Sequence, residues 1–267
     1  MESGQPDLVI QFILQPCRDM STHPDHLAIF ITATDTGVGK TTITAALVLG
    51  LKKQGYQVGV MKPVETGIDP QQTETSDTVR LQSLLSPPPP FAAICLYAFP
   101  QPVAPLTCAR ATGTTIDLAR IATAFHRLRQ QHPVCLVEGA GGLLTPLSPT
   151  QTIRDLIATL NLPALIVGRT SLGSVNHMLL TLEALNRAGI KSRGIVLNDP
   201  ISTTQTESFI QQRTSTIRLI QEWSEVPVFG PLEFQKTIQR DWRTGVENLA
   251  DHPEIQRLAR HIIETEP

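Results

Sequence analysis

Long apolar runs, basic clusters and paired cysteines are all missing from this chain of 267 residues. The apolar patch Leu8 to Leu14 is too short for a membrane span, and Cys17, Arg18 and Asp19 follow it without a small-residue cleavage site. Neither secretion nor membrane insertion is expected. The formal charge is −2, from 22 Lys and Arg against 24 Asp and Glu, and no run of Lys or Arg occurs. Nucleic-acid binders carry a basic footprint, so small molecules are the expected ligands. Cys17, Cys95, Cys108 and Cys135 form no CxxC pair and have no nearby His at metal-ligand spacing. Buried thiols in a reducing cytoplasm are expected. There is no internal repeat, and the one biased segment, Pro87 to Pro90, reads as a stiff surface loop.

What the chain does have is TDTGVGKTT at Thr34 to Thr42, between the apolar run Leu27 to Ile31 and the helical pattern Ile43 to Lys53. In a strand, turn and helix of this kind, backbone N–H groups wrap phosphates and the helix N-terminus favours negative charge. Lys40 reaches the β and γ phosphates, and the Thr41 hydroxyl can ligate Mg²⁺. A nucleoside triphosphate is therefore the first substrate to expect. The common P-loop pattern would place a further glycine at position 34, where this chain has Thr34 after Ala33.

Strands are expected at 27–32, 57–62, 134–137, 164–167, 194–197 and 226–229, and helices near 40–54, 115–131, 152–161, 174–188 and 204–222. This alternation predicts an α/β fold: a mostly parallel central sheet with helices on both faces, of P-loop NTPase type. Ile255, Leu258, Ile262 and Ile263 mark a C-terminal packing helix. Size alone favours one domain, taken as residues 20–267. Residues 1–19 are expected to be an upstream extension or a misassigned start, since Met20 begins MSTHPDHLAIFIT just before the first strand.

Ligands of parallel sheets gather at the carboxyl ends of the strands. There stand KPVETG, EGAGG, GRTSLGSVNH and NDP. Glu138 could bind a nucleotide's Mg²⁺, or it could cap the next turn; the small residues Gly139, Ala140 and Gly141 let phosphate approach. Asp77 could supply a second carboxylate, or Ser76 or Asp77 could simply cap a helix. Lys62, held by Pro63, could steady charge in a transfer reaction or be an ordinary solvated lysine. Thr66 continues that loop towards a second substrate. Asn198 and Asp199 could read an adenine edge or form a turn. The helix opened by Ser171 to His177 favours an anion at its start, with His177 assigned to packing or hydrogen bonding.

Taken together, TDTGVGKT, KPVETG, SD, VEGAGGLLTPL, LGSVNH and LND resemble, in order and spacing, the dethiobiotin synthetase family, over about Ala28 to Leu232. The resemblance implies an ATP-dependent ligase that carboxylates 7,8-diaminopelargonic acid with CO₂ and closes a ureido ring in biotin biosynthesis. It implies Lys62 as the catalytic lysine. ATP contacts are implied at Gly37, Val38, Gly39, Lys40, Thr41, Thr42, Asp77, Glu138, Gly139, Ala140, Gly141, Asn198 and Asp199. Thr41, Asp77 and Glu138 would be Mg²⁺ ligands, and Thr66 a substrate contact. Asn176 would touch the diamine's carboxylate tail from the neighbouring subunit of a cytoplasmic homodimer. Gly230, Pro231 and Leu232 match the family's last adenine-binding stretch only loosely. The alternative is a partition or division-site ATPase switch, but that family carries a lysine near the loop's start where this chain has Asp35.

Overall fold

The computed structural model describes residues 27–69, 71–202, 204 and 206–264; the expected extension at 1–19, with Cys17, lies outside them. In chain order the elements are β1 (Leu27–Ala33), α1 (Lys40–Lys53), β2 (Val58–Met61), β3 (Val64–Thr66), α2 (Asp77–Gln82), α3 (Phe91–Ile94) and β4 (Tyr97–Phe99). There follow α4 (Pro105–Thr112), α5 (Leu118–Gln131), β5 (Val134–Glu138), α6 (Ile153–Leu160), β6 (Ala164–Gly168) and α7 (Ser174–Arg187). The chain continues through β7 (Ser192–Asn198), α8 (Glu207–Trp223), β8 (Val228–Leu232), α9 (Lys236–Arg240), α10 (Trp242–Ala250) and α11 (Pro253–Glu264).

Six strands form one parallel sheet in the order β2, β5, β1, β6, β7, β8. Both faces are covered, which explains the nearly unbroken apolar strands. Because side chains alternate along β1, Ile29 and Ile31 pack with Leu47 of α1, Val246 of α10 and Leu258 of α11. Ala28 and Phe30 enter the opposite core with Phe125 of α5, Leu156 of α6 and Met178 of α7. Parallel pairing then forces every strand to end on the same edge, and the site is built there.

The six expected strands and five expected helices all form, with ends displaced by up to three residues. The C-terminal helix forms as α11 and buries Ile255, Leu258 and Ile262. It is tied to β8: Glu254 accepts from the Gly230 N–H at 2.8 Å, and Arg257 donates to the Val228 carbonyl at 2.7 Å. The small parallel pair β3 and β4 and the helices α3, α4, α9 and α10 are additions to the sequence reading, and α2 is the short helix that Ser76 or Asp77 was expected to cap. Strands of three residues and helices of four to nine are too short to display a clear period.

Cys95, Cys108 and Cys135 are buried and unpaired. Burial pushes the Cys95 thiol up to about 11 and that of Cys135 up to about 12, so both stay protonated and unreactive. Among the described residues no helix is long and apolar enough to cross a membrane.

Candidate active site

The turn from β1 to α1 needs two left-handed residues, and both are glycines: Gly37 at φ 70° and Gly39 at φ 98°. A Cβ on Gly39 would lie 2.3 Å from the Asn198 amide nitrogen. That closeness has a purpose, because the Asn198 Nδ2 donates to the Val38 carbonyl at 2.8 Å and braces the loop from β7. Thr34 replaces the usual first glycine without strain. It lacks a positive φ, and its N–H donates to Val167 at 3.0 Å, extending the pairing of β1 with β6 by one residue.

Inside the loop's mouth, three elements converge on one buried lysine. Lys62 lies just beyond β2 and is 3% exposed. Its Nζ is 2.6 Å from Glu138 Oε1 at the end of β5 and 2.9 Å from Asp77 Oδ2 at the start of α2. The Thr41 hydroxyl donates to the same Glu138 Oε1 at 2.7 Å. Burial works against the charge on Lys62, but Glu138 and Asp77 outweigh it and hold the ammonium well above the ordinary lysine range. Burial likewise opposes the charge on Asp77, and Lys62 overrides it and keeps the carboxyl below its usual range. Lys62 and Asp77 are thus both ionised at neutral pH.

Two features point outward from this cluster to a ligand. Glu138 is fully buried, yet among the described residues its Oε2 has no hydrogen-bond partner. An orphaned carboxylate oxygen is costly unless something binds it. With Asp77 and the Thr41 hydroxyl it makes an all-oxygen donor set, which suits a hard divalent cation. The second feature is Lys40, whose Nζ, among the described residues, reaches only the Asp35 carbonyl, at 3.3 Å. Burial, with Lys62 adding to it, lowers Lys40 to about 8. A cation so poorly compensated is ready for phosphate.

A cavity of about 350 Å³ gathers Gly37, Gly39, Lys40, Thr41, Thr42, Lys62, Thr66, Asp77, Ala140 and Gly141 from the sequence reading. It adds Thr36, Glu65 and Arg80, which that reading had not assigned. Gly139 borders the site from beneath, where a Cβ would strike the Phe30 ring at 2.9 Å. Val38 is buried in the core, with its carbonyl held by Asn198. The open choice at Ser76 and Asp77 resolves neatly: Ser76 caps α2 and Asp77 turns its carboxylate to Lys62.

Other expected residues stand apart. Asp199 accepts from the Thr170 hydroxyl at 2.6 Å, so its carboxylate anchors the turn after β6. Asn176 is exposed on the first turn of α7 and is not among the residues lining the cavity around Lys62. His177 instead lines a second cleft of about 530 Å³ with Thr34, Asp35, Thr36, Leu144 and Thr145. Arg169, missed in the sequence, donates to the Thr36 carbonyl at 3.2 Å from the end of β6. Its only signal was its place directly after a strand.

A parallel sheet whose first strand feeds a glycine-bent, lysine-bearing turn defines this protein as a P-loop nucleotide-binding protein. A family model described as an AAA domain, AAA_26, matches residues 27–241. Among solved structures, the MinD cell division protein of Aquifex aeolicus matches with TM-score 0.53 at 15% identity, covering 90% of this chain and 98% of that one. A ParA family ATPase from Chlorobium tepidum TLS gives TM-score 0.52 at 16% identity, covering 88% and 99%. Identities this low establish a shared fold and nothing more. Closer relatives lie among curated sequences. An ATP-dependent dethiobiotin synthetase of Anaeromyxobacter sp. is 42% identical over 232 residues, covering 87% of this chain and 95% of the relative. That of Anaeromyxobacter dehalogenans is 46% identical over 170 residues, covering 64% and 75%. The chain belongs to the ATP-dependent dethiobiotin synthetase family.

Proposed function

We propose that this site carboxylates 7,8-diaminopelargonic acid with CO₂ and closes the ureido ring at the expense of ATP. The observation that carries the reading is the buried Lys62, ionised against Glu138 and Asp77 at the mouth of a phosphate-binding loop. In the proposed sequence one amine of the substrate adds to CO₂ and loses a proton to give a carbamate. A carbamate oxygen then takes the γ-phosphoryl group of ATP, releasing ADP. The second amine attacks the carbonyl carbon, loses a proton and expels phosphate as the ring closes.

Each step asks for something these residues can give. Carbamates revert readily, so the phosphoryl donor must already be aligned, and the Gly37 to Thr42 loop with Lys40 is placed to align it. Lys62, itself only 3% exposed, is assigned to the charge that develops between carbamate and phosphoryl group. Thr41, Asp77 and the orphaned Glu138 oxygen would hold Mg²⁺. When bound, the ion would neutralise the phosphate oxygens and fix the triphosphate for in-line transfer.

Thr66 lines the same cavity and is assigned to the diamine, while Asn198, which braces the loop through the Val38 carbonyl, and its neighbour Asp199 are assigned to the nucleotide. The exposure of Asn176 supports a role towards a second copy of the chain in a homodimer, donating its amide N–H to a substrate carboxylate tail. Residues 20–267 are assigned to one catalytic domain acting in the cytoplasm. The test is carbon tracing: ¹³C-bicarbonate, MgATP and the diamine should yield a cyclic urea with a labelled carbonyl carbon, one phosphate per ring. Phosphate release with an unlabelled or uncyclised diamine would refute the assignment.

A further inference from the structure

We propose that Glu65 is a positioning residue that sets how tightly this site holds its metal, by fixing where Asp77 presents its carboxylate. The proposal rests on the reading of Asp77 as a metal donor. Glu65 lies on β3, three residues after Lys62, and is 5% exposed. One of its oxygens, Oε1, accepts from the Asp77 N–H at 2.7 Å. The other, Oε2, accepts from the Thr78 N–H at 2.9 Å, from the Ser76 hydroxyl at 3.1 Å and from the Thr78 hydroxyl. Backbone and hydroxyl donors surround the carboxylate, so its role here is geometric.

The need for such a clamp follows from α2 itself. The helix has six residues, too few to be stable alone. Its Ser76 cap is weak, accepting from Val79 N–H at a long 3.4 Å. Glu65 takes the two N–H groups that precede that contact, and it sits on the same short segment as Lys62. A single carboxylate therefore locks the strand that follows Lys62 to the backbone of the residue whose side chain meets Lys62. If α2 turned or frayed, Asp77 would leave the cluster while Glu138, set by β5, stayed. Residues one step behind metal donors commonly change metal affinity by about 10–100-fold when altered.

Glu65→Gln keeps the volume but turns an NH₂ group towards an existing donor. The experiment measures Mn²⁺ affinity by electron paramagnetic resonance, with the protein saturated by a non-hydrolysable ATP analogue. Wild type, Glu65→Gln, Asp77→Asn and the milder Thr78→Val, which removes one donor to Glu65, are compared. Mn²⁺ affinity is expected to fall about tenfold in Glu65→Gln, further in Asp77→Asn and about twofold to threefold in Thr78→Val. Metal-free affinity for the analogue is expected to stay within about twofold in Glu65→Gln and Thr78→Val. Thr78→Val keeps the test alive should Glu65→Gln fail to fold. If Asp77→Asn weakens Mn²⁺ while the folded Glu65 and Thr78 variants bind it as wild type does, Glu65 is only a helix cap and the proposal falls. If Asp77→Asn itself binds Mn²⁺ normally, the metal reading falls and takes this proposal with it.

Discussion

The two halves of one sheet edge bury polar groups in opposite ways. At β2, β5 and the P-loop, Lys62 and Glu138 are buried as a close pair with the half-buried Asp77 beside them, and among the described residues Glu138 keeps one oxygen without a hydrogen-bond partner. At β6 and β7, Asn198 uses its amide N–H on the Val38 carbonyl, and Asp199 takes the Thr170 hydroxyl on Oδ1 and turns its other oxygen, Oδ2, to Arg213 at 4.0 Å. The first half is arranged to be completed by a ligand, because buried charges without full compensation gather at binding and catalytic sites. The second half is a scaffold whose hydrogen bonds hold the phosphate loop in shape. Changes in the first half should therefore strike chemistry or the direct binding of phosphate, and changes in the second should act more weakly, on affinity alone, through the shape of the loop.

The sharpest break would come from Lys62→Ala. Turnover should fall by about 10³-fold while ATP affinity moves only a few-fold, as expected when charge stabilisation is lost in the transition state. Glu138 would then be a buried charge without its partner, and unfolding in denaturant should show a loss of about 3 kcal/mol. A variant retaining turnover within a few-fold would make Lys62 a structural ion.

Next in size is a pH effect confined to the phosphate half. With Lys40 lowered to about 8, its cation is present below that pH and lost above it. Phosphate binding needs the cation, so ATP affinity should hold to about pH 7 and fall about tenfold by pH 9, with proton uptake on binding. Calorimetry in two buffers of different ionisation enthalpy checks both. Lys40→Arg, which does not titrate in this range, should flatten the profile even if it binds more weakly.

Smaller effects belong to the other half. Asn198→Ala leaves the Val38 carbonyl without its partner and should weaken ATP by about fivefold, or about 1 kcal/mol, with turnover at saturating ATP nearly unchanged. Asp199→Asn can still accept from Thr170 and should be almost silent in steady-state kinetics. A collapse of turnover in either variant would erase the distinction between the halves.

Much of this was legible in the residues because both the fold and the chemistry have local signatures. Apolar strands followed by GVGK, KP or EGAGG announce a parallel sheet and its ligand edge, and Lys40, Lys62 and Glu138 are found simply by following each strand to its end. Pairings across the fold were hidden. Glu65 reads as an ordinary acid in KPVETG, since its partners sit on a six-residue helix that has no period to detect. Asn198 lies 160 residues from Val38, and nothing local says its amide will brace the P-loop. The choice between cap and ligand at Ser76 and Asp77 likewise needed the place of Lys62.

The most direct test of the account is ATP turnover by the purified protein with bicarbonate and Mg²⁺, with and without 7,8-diaminopelargonic acid. The account predicts little phosphate release until the diamine is added, and then one dethiobiotin for each phosphate. Hydrolysis indifferent to the diamine would contradict it.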